Sequence, residues 1–397
     1  MKSLGFRLAM ATAAVVGPLV IAGAAQADAL ATPAMAGPLA ANATPFSIDL
    51  PGWLGDAGGK VYIDGAVTGL ALWQSNPAFN FATLATDHDS LIDLDNGQVF
   101  IQKTDGWLQF YAQIGAYSFP TVGTPYTKSS ITEPATFGYV PVAYVKLQGE
   151  GDSSAWSLEG GKLPTLIGDE YSFTFENMNI ERGLLWNVEP IVSTGVQLNY
   201  ANGPLTVSVS LNDGTYAKEW NWLSGLISYG FNSGADTVAF AGGGNLGKGN
   251  FSLLNSGSVF DLIYTHTSGP WVISPYIQYN TTPKLAGLGF LKGSSVFGGA
   301  VLVSYSFNDN WKLAGRVEYE SESGHKGVFT TPDIIGYGPG SNAWSLTVTP
   351  TYQWKQFFGR LDLSYVTLGS LSAGSGFGAI GTKTDQFRLM FETGVLF

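Results

Sequence analysis

The sequence predicts an all-β protein, a closed antiparallel transmembrane β-barrel of about 14 strands (16 is the alternative), with short periplasmic turns and long extracellular loops. Three observations predict it. An export signal opens the chain, the composition is poor in charge and rich in aromatics, and apolar–polar alternation recurs in hairpins up to the last residue.

The export signal comes first. Lys2 and Arg7 precede a charge-free apolar stretch from Leu8 to Ala22, and Ala25-Gln26-Ala27 places small residues where a signal peptidase reads them. Cleavage is expected before Asp28, with residues 1–27 removed. A permanent anchor helix is the competing reading. It is disfavoured because the apolar run is short for a bilayer span and no basic stop-transfer residues follow. The chain has no cysteine, which excludes a lipoprotein anchor and a disulfide framework. Past residue 27 no apolar run is long enough for a helical span.

Composition supports a lipid-facing protein. Charged residues are 12% of the chain, about half the usual globular share, while aromatics are 13% and glycines number 52. The signal holds two of the 19 basic residues and none of the 30 acidic ones, so the mature formal charge is −13. Such a surface repels phosphate backbones, which excludes nucleic acid as a partner, and it predicts a mild cation preference.

The segment 28–59 lacks periodicity and is dominated by Ala, Pro and Gly up to Ala43, so it is expected to be a flexible periplasmic stretch. The barrel is expected over 60–397, beginning with Val61, Ile63 and Val67 on one face. Alternation is cleanest late in the chain. Trp311, Leu313, Val317 and Tyr319 oppose Lys312, Arg316, Glu318 and Glu320; Leu361, Leu363 and Tyr365 oppose Arg360, Asp362 and Ser364.

Tight turns are expected near residues 105, 151, 202, 269, 309 and 355, where Asp-Gly, Asn-Gly and Gly-Pro pairs supply turn geometry. Longer polar or Gly-rich stretches alternate with them, among them 164–190 and 213–257, which gives 14 strands. A further hairpin within 213–257, around Trp220 to Phe231, would make 16. Pro141, Pro275 and Pro350 fall inside assigned strands and are expected at bulges or strand ends.

The last strand alternates Phe387, Leu389, Phe391, Val395 and Phe397 with Arg388, Met390, Glu392 and Leu396. It is expected to face lipid and close the barrel edge, and it resembles the terminal strand read by the outer-membrane barrel assembly machinery.

The stretch Gly161-Lys162, Thr165, Gly168, Glu170, then Arg182, Pro190 and Thr194-Gly195-Val196 resembles the OmpL-like β-barrel porins. That motif covers some 35 residues; Glu181 stands where the family pattern has serine. The resemblance implies a bacterial outer-membrane porin and names no solute.

Function then depends on the inward face. A barrel of this size leaves a lumen, and the 164–190 and 213–257 stretches are the candidates to constrict it. Pore-lining candidates are Lys312, Arg316, Glu318, Arg360, Asp362, Arg388 and Glu392 on late strands, with Lys162, Asp169, Glu170 and Arg182 expected to form an eyelet. Charges of both signs across a pore resemble the transverse field of diffusion porins; wall-stabilising salt bridges are the alternative. No catalytic, cofactor or metal residues are assigned. His88, His266 and His325 sit in no nucleophile setting, Asp87-His88-Asp89 reads as an exposed loop, and no phosphate-binding motif is present. The expected partners are outer-membrane lipid, small hydrophilic solutes and a second copy in a homo-oligomer. A plugged structural or adhesive barrel and, more weakly, a hydrophobic-solute transporter or barrel hydrolase compete; inward Phe100, Val259 and Ile263 favour the transporter locally.

Overall fold

Sixteen strands carry the alternation, two more than the visible turns suggest. The computed structural model describes residues 37–80, 85–247 and 253–397, so the expected signal lies outside the described residues. The barrel strands are β1 (Lys60–Gln74), β2 (Ser90–Lys103), β3 (Leu108–Ala116), β4 (Val142–Gln148), β5 (Trp156–Pro164), β6 (Val192–Asn202), β7 (Leu205–Asn212) and β8 (Trp222–Phe231). They continue as β9 (Asp236–Asn245), β10 (Ser258–Ser268), β11 (Trp271–Thr282), β12 (Ser294–Ser306), β13 (Trp311–Glu322), β14 (Asn342–Trp354), β15 (Phe357–Gly369) and β16 (Asp385–Leu396). Each pairs antiparallel with the next, and β16 returns to β1 from Arg388↔Gln74 to Leu396↔Ala66. Closure leaves no unpaired edge, the condition lipid imposes on a spanning sheet. Among the described residues no helix is long and apolar enough to cross a membrane.

The count of 14 is corrected by the hairpin β8–β9, paired from Trp222↔Asn245 to Phe231↔Asp236. Its turn, Asn232-Ser233-Gly234-Ala235, carries no Gly-Pro or Asn-Gly signal. The end of β9 is Gly242-Gly243-Gly244, which has no side chains to alternate. The glycine run is there for packing. A Cβ on Gly243 would lie 2.4 Å from Trp222 Nε1, so the indole fills the space a side chain would need. The 213–257 stretch is therefore mostly wall, and not a constriction loop.

Outward residues are apolar, and inward ones polar or charged. Trp311, Leu346, Tyr365 and Phe391 are exposed on the lipid side, while Gln113, Gln197, Ser208, Thr347 and Thr349 are buried on the lumen side. Aromatic pairs Trp156–Tyr200, Trp271–Tyr305 and Trp311–Tyr352 stand beside the short turns with centroids 4.6–4.9 Å apart. Rings at one rim of a sheet suit the membrane–water boundary, where one end is apolar and the other wet.

Of the three prolines, only Pro141 meets its expectation, standing just before β4. Pro275 and Pro350 are neither bulges nor ends. The β10–β11 pairing passes from Ile263↔Tyr276 to His266↔Ile273, and β14–β15 from Val348↔Leu363 to Thr351↔Arg360, without change of register. Each proline forfeits a ladder donor locally while the register carries across it. The true bulge lies between β1 and β2, where the pairing shifts at Thr68/Gly69.

The described part of 28–59 makes specific contacts where a flexible stretch was expected. Phe46–Asp49 forms a short strand on the edge of β1, Phe46↔Ile63 to Asp49↔Lys60, and Gly52–Ala57 forms a 3-10 turn. Upstream, Ala40 exchanges two hydrogen bonds with the Gln353 amide (2.7 and 2.8 Å), and Leu39 is buried.

Candidate functional site

The loop 165–191 turns into the barrel because it is not a polar loop. Phe173, Phe175, Ile180, Leu184 and Leu185 are all buried. In a water-filled lumen each such side chain gains about 1.5–3 kcal/mol by packing away from solvent. Asn177 folds the loop on itself. Its Oδ1 accepts from the Tyr171 amide (2.7 Å), and its Nδ2 donates to the Tyr171 and Phe173 carbonyls (both 2.8 Å). The phenylalanines and leucines thus presented enter two buried clusters against the wall. One includes Phe100, Tyr117 and Phe137; the other includes Val259, Ile263, Tyr276 and Ala300. The inward apolar residues Phe100, Val259 and Ile263 are thus covered by packing.

The 117–141 loop reinforces the constriction. Arg182 bonds to it through its backbone, its N–H donating to Pro120 (3.0 Å) and its carbonyl accepting from Val122 (3.0 Å). The Arg182 guanidinium lies over the Phe119 and Trp186 rings at 5.6 and 5.0 Å. Burial lowers its pKa to about 10, against the opposing pull of Asp95, Glu170 and Glu392.

Arginines of β13, β15 and β16 bind the loop to the wall. Arg316 pairs with Glu170 and with Glu318 (3.1 Å), and it donates to the Glu181 carbonyl (2.7 Å). Glu318 accepts from the Leu184 amide (3.0 Å). Arg360 pairs with Glu392 (2.6 Å) and donates to the Asn177 carbonyl (2.9 Å). Arg388 pairs with Glu181 (2.9 Å), and Asp362 accepts from the Glu181 amide (2.9 Å). Glu392 accepts from Thr174 Oγ1 (2.6 Å). Arg182, Arg316, Arg360 and Arg388 each expose 1% or less, so this part of the lumen is filled.

The expected eyelet quartet is therefore split. Glu170 and Arg182 share the constriction with Arg316. Asp169 turns to β11, where Ser274 Oγ donates to it (2.6 Å); burial raises its pKa to about 6, with that hydrogen bond acting in the opposite direction. Lys162 stands apart, donating to the Phe137 and Val140 carbonyls (2.7 and 2.8 Å). Lys312 lies towards the short turns and donates to the Pro38 carbonyl. Charges of opposite sign pair with immediate neighbours instead of facing each other across an open pore.

Sequence reasoning missed Glu181, Asp95 and Asn96. Glu181 carries no signal beyond its departure from the family pattern. Asp95 and Asn96 are both buried although adjacent in a strand, because the bulge opposite Thr68/Gly69 turns both inward. There Asn96 donates to Thr174 Oγ1 (2.8 Å), whose single hydroxyl proton is shared between Glu392 and Asp95 (2.9 Å away), which fixes one end of the loop.

Comparison with known proteins agrees with this architecture. A family model described as "Putative beta-barrel porin-2, OmpL-like" matches residues 60–397. Among solved structures, the anion-selective porin of Comamonas acidovorans superposes with a TM-score of 0.57 at 12% identity, over 85% of this chain and 99% of that one. OmpF of Salmonella typhi, in complex with daunomycin, gives 0.55 at 14% identity over 88% and 100%. In-vitro folded OmpT, an outer membrane protein of Vibrio cholerae, gives 0.56 at 11% over 85% and 97%. A search of curated proteins finds no match.

Proposed function

The chain belongs to the OmpL-like family of β-barrel porins, and from that premise we propose that it is a passive outer-membrane channel for small hydrophilic solutes or ions, throttled by the 165–191 loop. The observation that carries this reading is the inward face. Glutamines, serines, threonines and ion pairs line the lumen side of strands whose other side is apolar. A barrel with no aqueous task has no need to bury so many hydrogen-bonding groups, each of which must find a partner.

In this reading Arg316, Glu318, Arg360, Asp362, Arg388, Glu392, Glu170 and Arg182 form the constriction and its hinge contacts. Asp169, Lys162 and Lys312 lie above or below it. The protein is a channel and not an enzyme. Residues 1–27 act as a removed signal, and the assembly machinery reads the strand ending at Phe397. The apolar outer wall lies against lipid and against neighbouring copies in a homo-oligomer.

Burial of the four constriction arginines favours a second reading, a barrel held shut by its loops. Conductance of the refolded mature protein in a planar bilayer separates the two. Discrete steps that scale with salt support the channel. Silence from protein shown to be folded supports the shut barrel.

A further inference from the structure

The lumen is also entered from its short-turn end, by the chain's own segment 37–40 (Gly-Pro-Leu-Ala). Four consecutive strands supply inward residues at this rim: Lys312 at the start of β13, Gln353 near the end of β14, Phe358 at the start of β15 and Leu396 at the end of β16. The Lys312 ammonium donates to the Pro38 carbonyl. The Gln353 amide takes both backbone polar atoms of Ala40, accepting from its N–H (2.7 Å) and donating to its carbonyl (2.8 Å). Leu39, 3% exposed, lies in the same buried cluster as Phe358 and Leu396, and as Phe173 and Phe175 of the constriction loop. Gly37 reaches that loop directly. A Cβ on it would stand 2.3 Å from the Asn177 carbonyl oxygen, the atom to which Arg360 donates (2.9 Å). Only a residue without a side chain comes so close. Residues 37–40 therefore bridge the space between the rim and the constriction.

The segment fills this space without being part of the wall. Its hydrogen bonds run to the side chains of Lys312 and Gln353, not to the strand ladder. Its largest apolar side chain is Leu39, so releasing it returns little apolar surface to water and breaks no strand pairing. Asn42 turns the chain over the rim, accepting from the Thr44 amide and donating to the Thr44 carbonyl (both 3.2 Å). Phe46–Asp49 then fixes the chain to the edge of β1. The five residues 41–45 thus tether the segment, and once released it stays beside its seat at an effective concentration on the order of millimolar. A stopper held in this way leaves and returns while the cylinder stays closed.

We propose that residues 37–40 form a displaceable plug that closes the lumen on the short-turn side of the constriction. It opens when Leu39 leaves its cluster and the Gln353 amide lets go of Ala40. The effect of the plug on flow rests on the channel reading above; its seating does not.

The chain has no cysteine, so single introduced cysteines report seating without background. In refolded mature protein, Leu39→Cys is expected to react with a water-soluble maleimide about tenfold or more slowly than Ala43→Cys on the exposed turn. Adding Gln353→Ala to Leu39→Cys is expected to narrow that gap. Equal rates for the two single cysteines in folded protein overturn the plug. In planar bilayers Leu39→Asp, which places a charge in the apolar cluster, is expected to raise single-channel conductance, and Gln353→Ala to raise it less. Conductance unchanged by both substitutions in a conducting barrel also overturns the plug. Slow labelling of Leu39→Cys in a barrel that passes no current supports the seating and refutes the channel reading instead.

Discussion

Phe397 and Gly65 close the barrel as a pair. Their backbones exchange two hydrogen bonds, Gly65 N–H to Phe397 O at 2.8 Å and Phe397 N–H to Gly65 O at 2.9 Å. The Phe397 ring covers the Gly65 Cα, so a Cβ at residue 65 would lie 2.2 Å from the ring. Gly65→Val is expected to displace the ring and destabilise the closed barrel by about 1–3 kcal/mol, as overpacking does. Unfolding midpoints in urea check this. Adding Phe397→Ala to Gly65→Val is expected to recover part of the loss.

The docked loop has a similar tight point. A Cβ on Gly183 would stand 2.0 Å from Glu318 Oε1 and 2.7 Å from Glu170 Oε2. Gly183→Val is therefore expected to lift the 165–191 loop off β13 and raise single-channel conductance. An unchanged conductance would show that the loop does not limit flow.

Arg360 and Glu392 are both buried, so the partner left behind decides the cost of breaking their pair. Arg360→Met leaves the Glu392 carboxylate without its ion-pair partner and is expected to cost about 3–5 kcal/mol. Converting Glu392→Leu as well is expected to return most of that stability. A double-mutant cycle on unfolding midpoints measures the coupling.

Loop docking should also depend on pH. Burial raises the pKa of Glu176 to about 8, although the Phe173 N–H and Arg182 act in the other direction. The docked loop therefore holds this proton more tightly than a released one. Docking is strongest at low pH, weakens as pH climbs from the ordinary carboxylate range to about 8, and levels off beyond it. Conductance is expected to rise across that window, and Glu176→Gln is expected to flatten the rise.

The wall was legible in the sequence wherever a strand shows one apolar and one polar face. β13, β15 and β16 have strong alternation, and their charged residues face inward as their positions require. β9 was illegible because glycine gives no periodic signal; its role is to make room for Trp222. The site was partly legible. Arg316, Arg360 and Arg388 follow from strand period, whereas their partners come from a loop with no period. Glu181 meets Arg388 across 207 residues of sequence, a proximity that only the folded loop creates. Asp95 and Asn96 depend on a bulge, which breaks the very rule by which inward residues are counted.

The short strand Phe46–Asp49 has a consequence for assembly. A strand sliding by two residues keeps its faces, so alternation alone cannot say where the last strand of a cylinder should stop. Along one edge of β1, β16 and Phe397 occupy the places from Gln74 down to Gly65, and Phe46 takes over at Ile63. Any downward slide of β16 would drive Phe397 into the place Phe46 already holds. The chain thus carries its own stop for β16, and a fixed stagger between first and last strand is what sets the tilt of a closed 16-stranded cylinder.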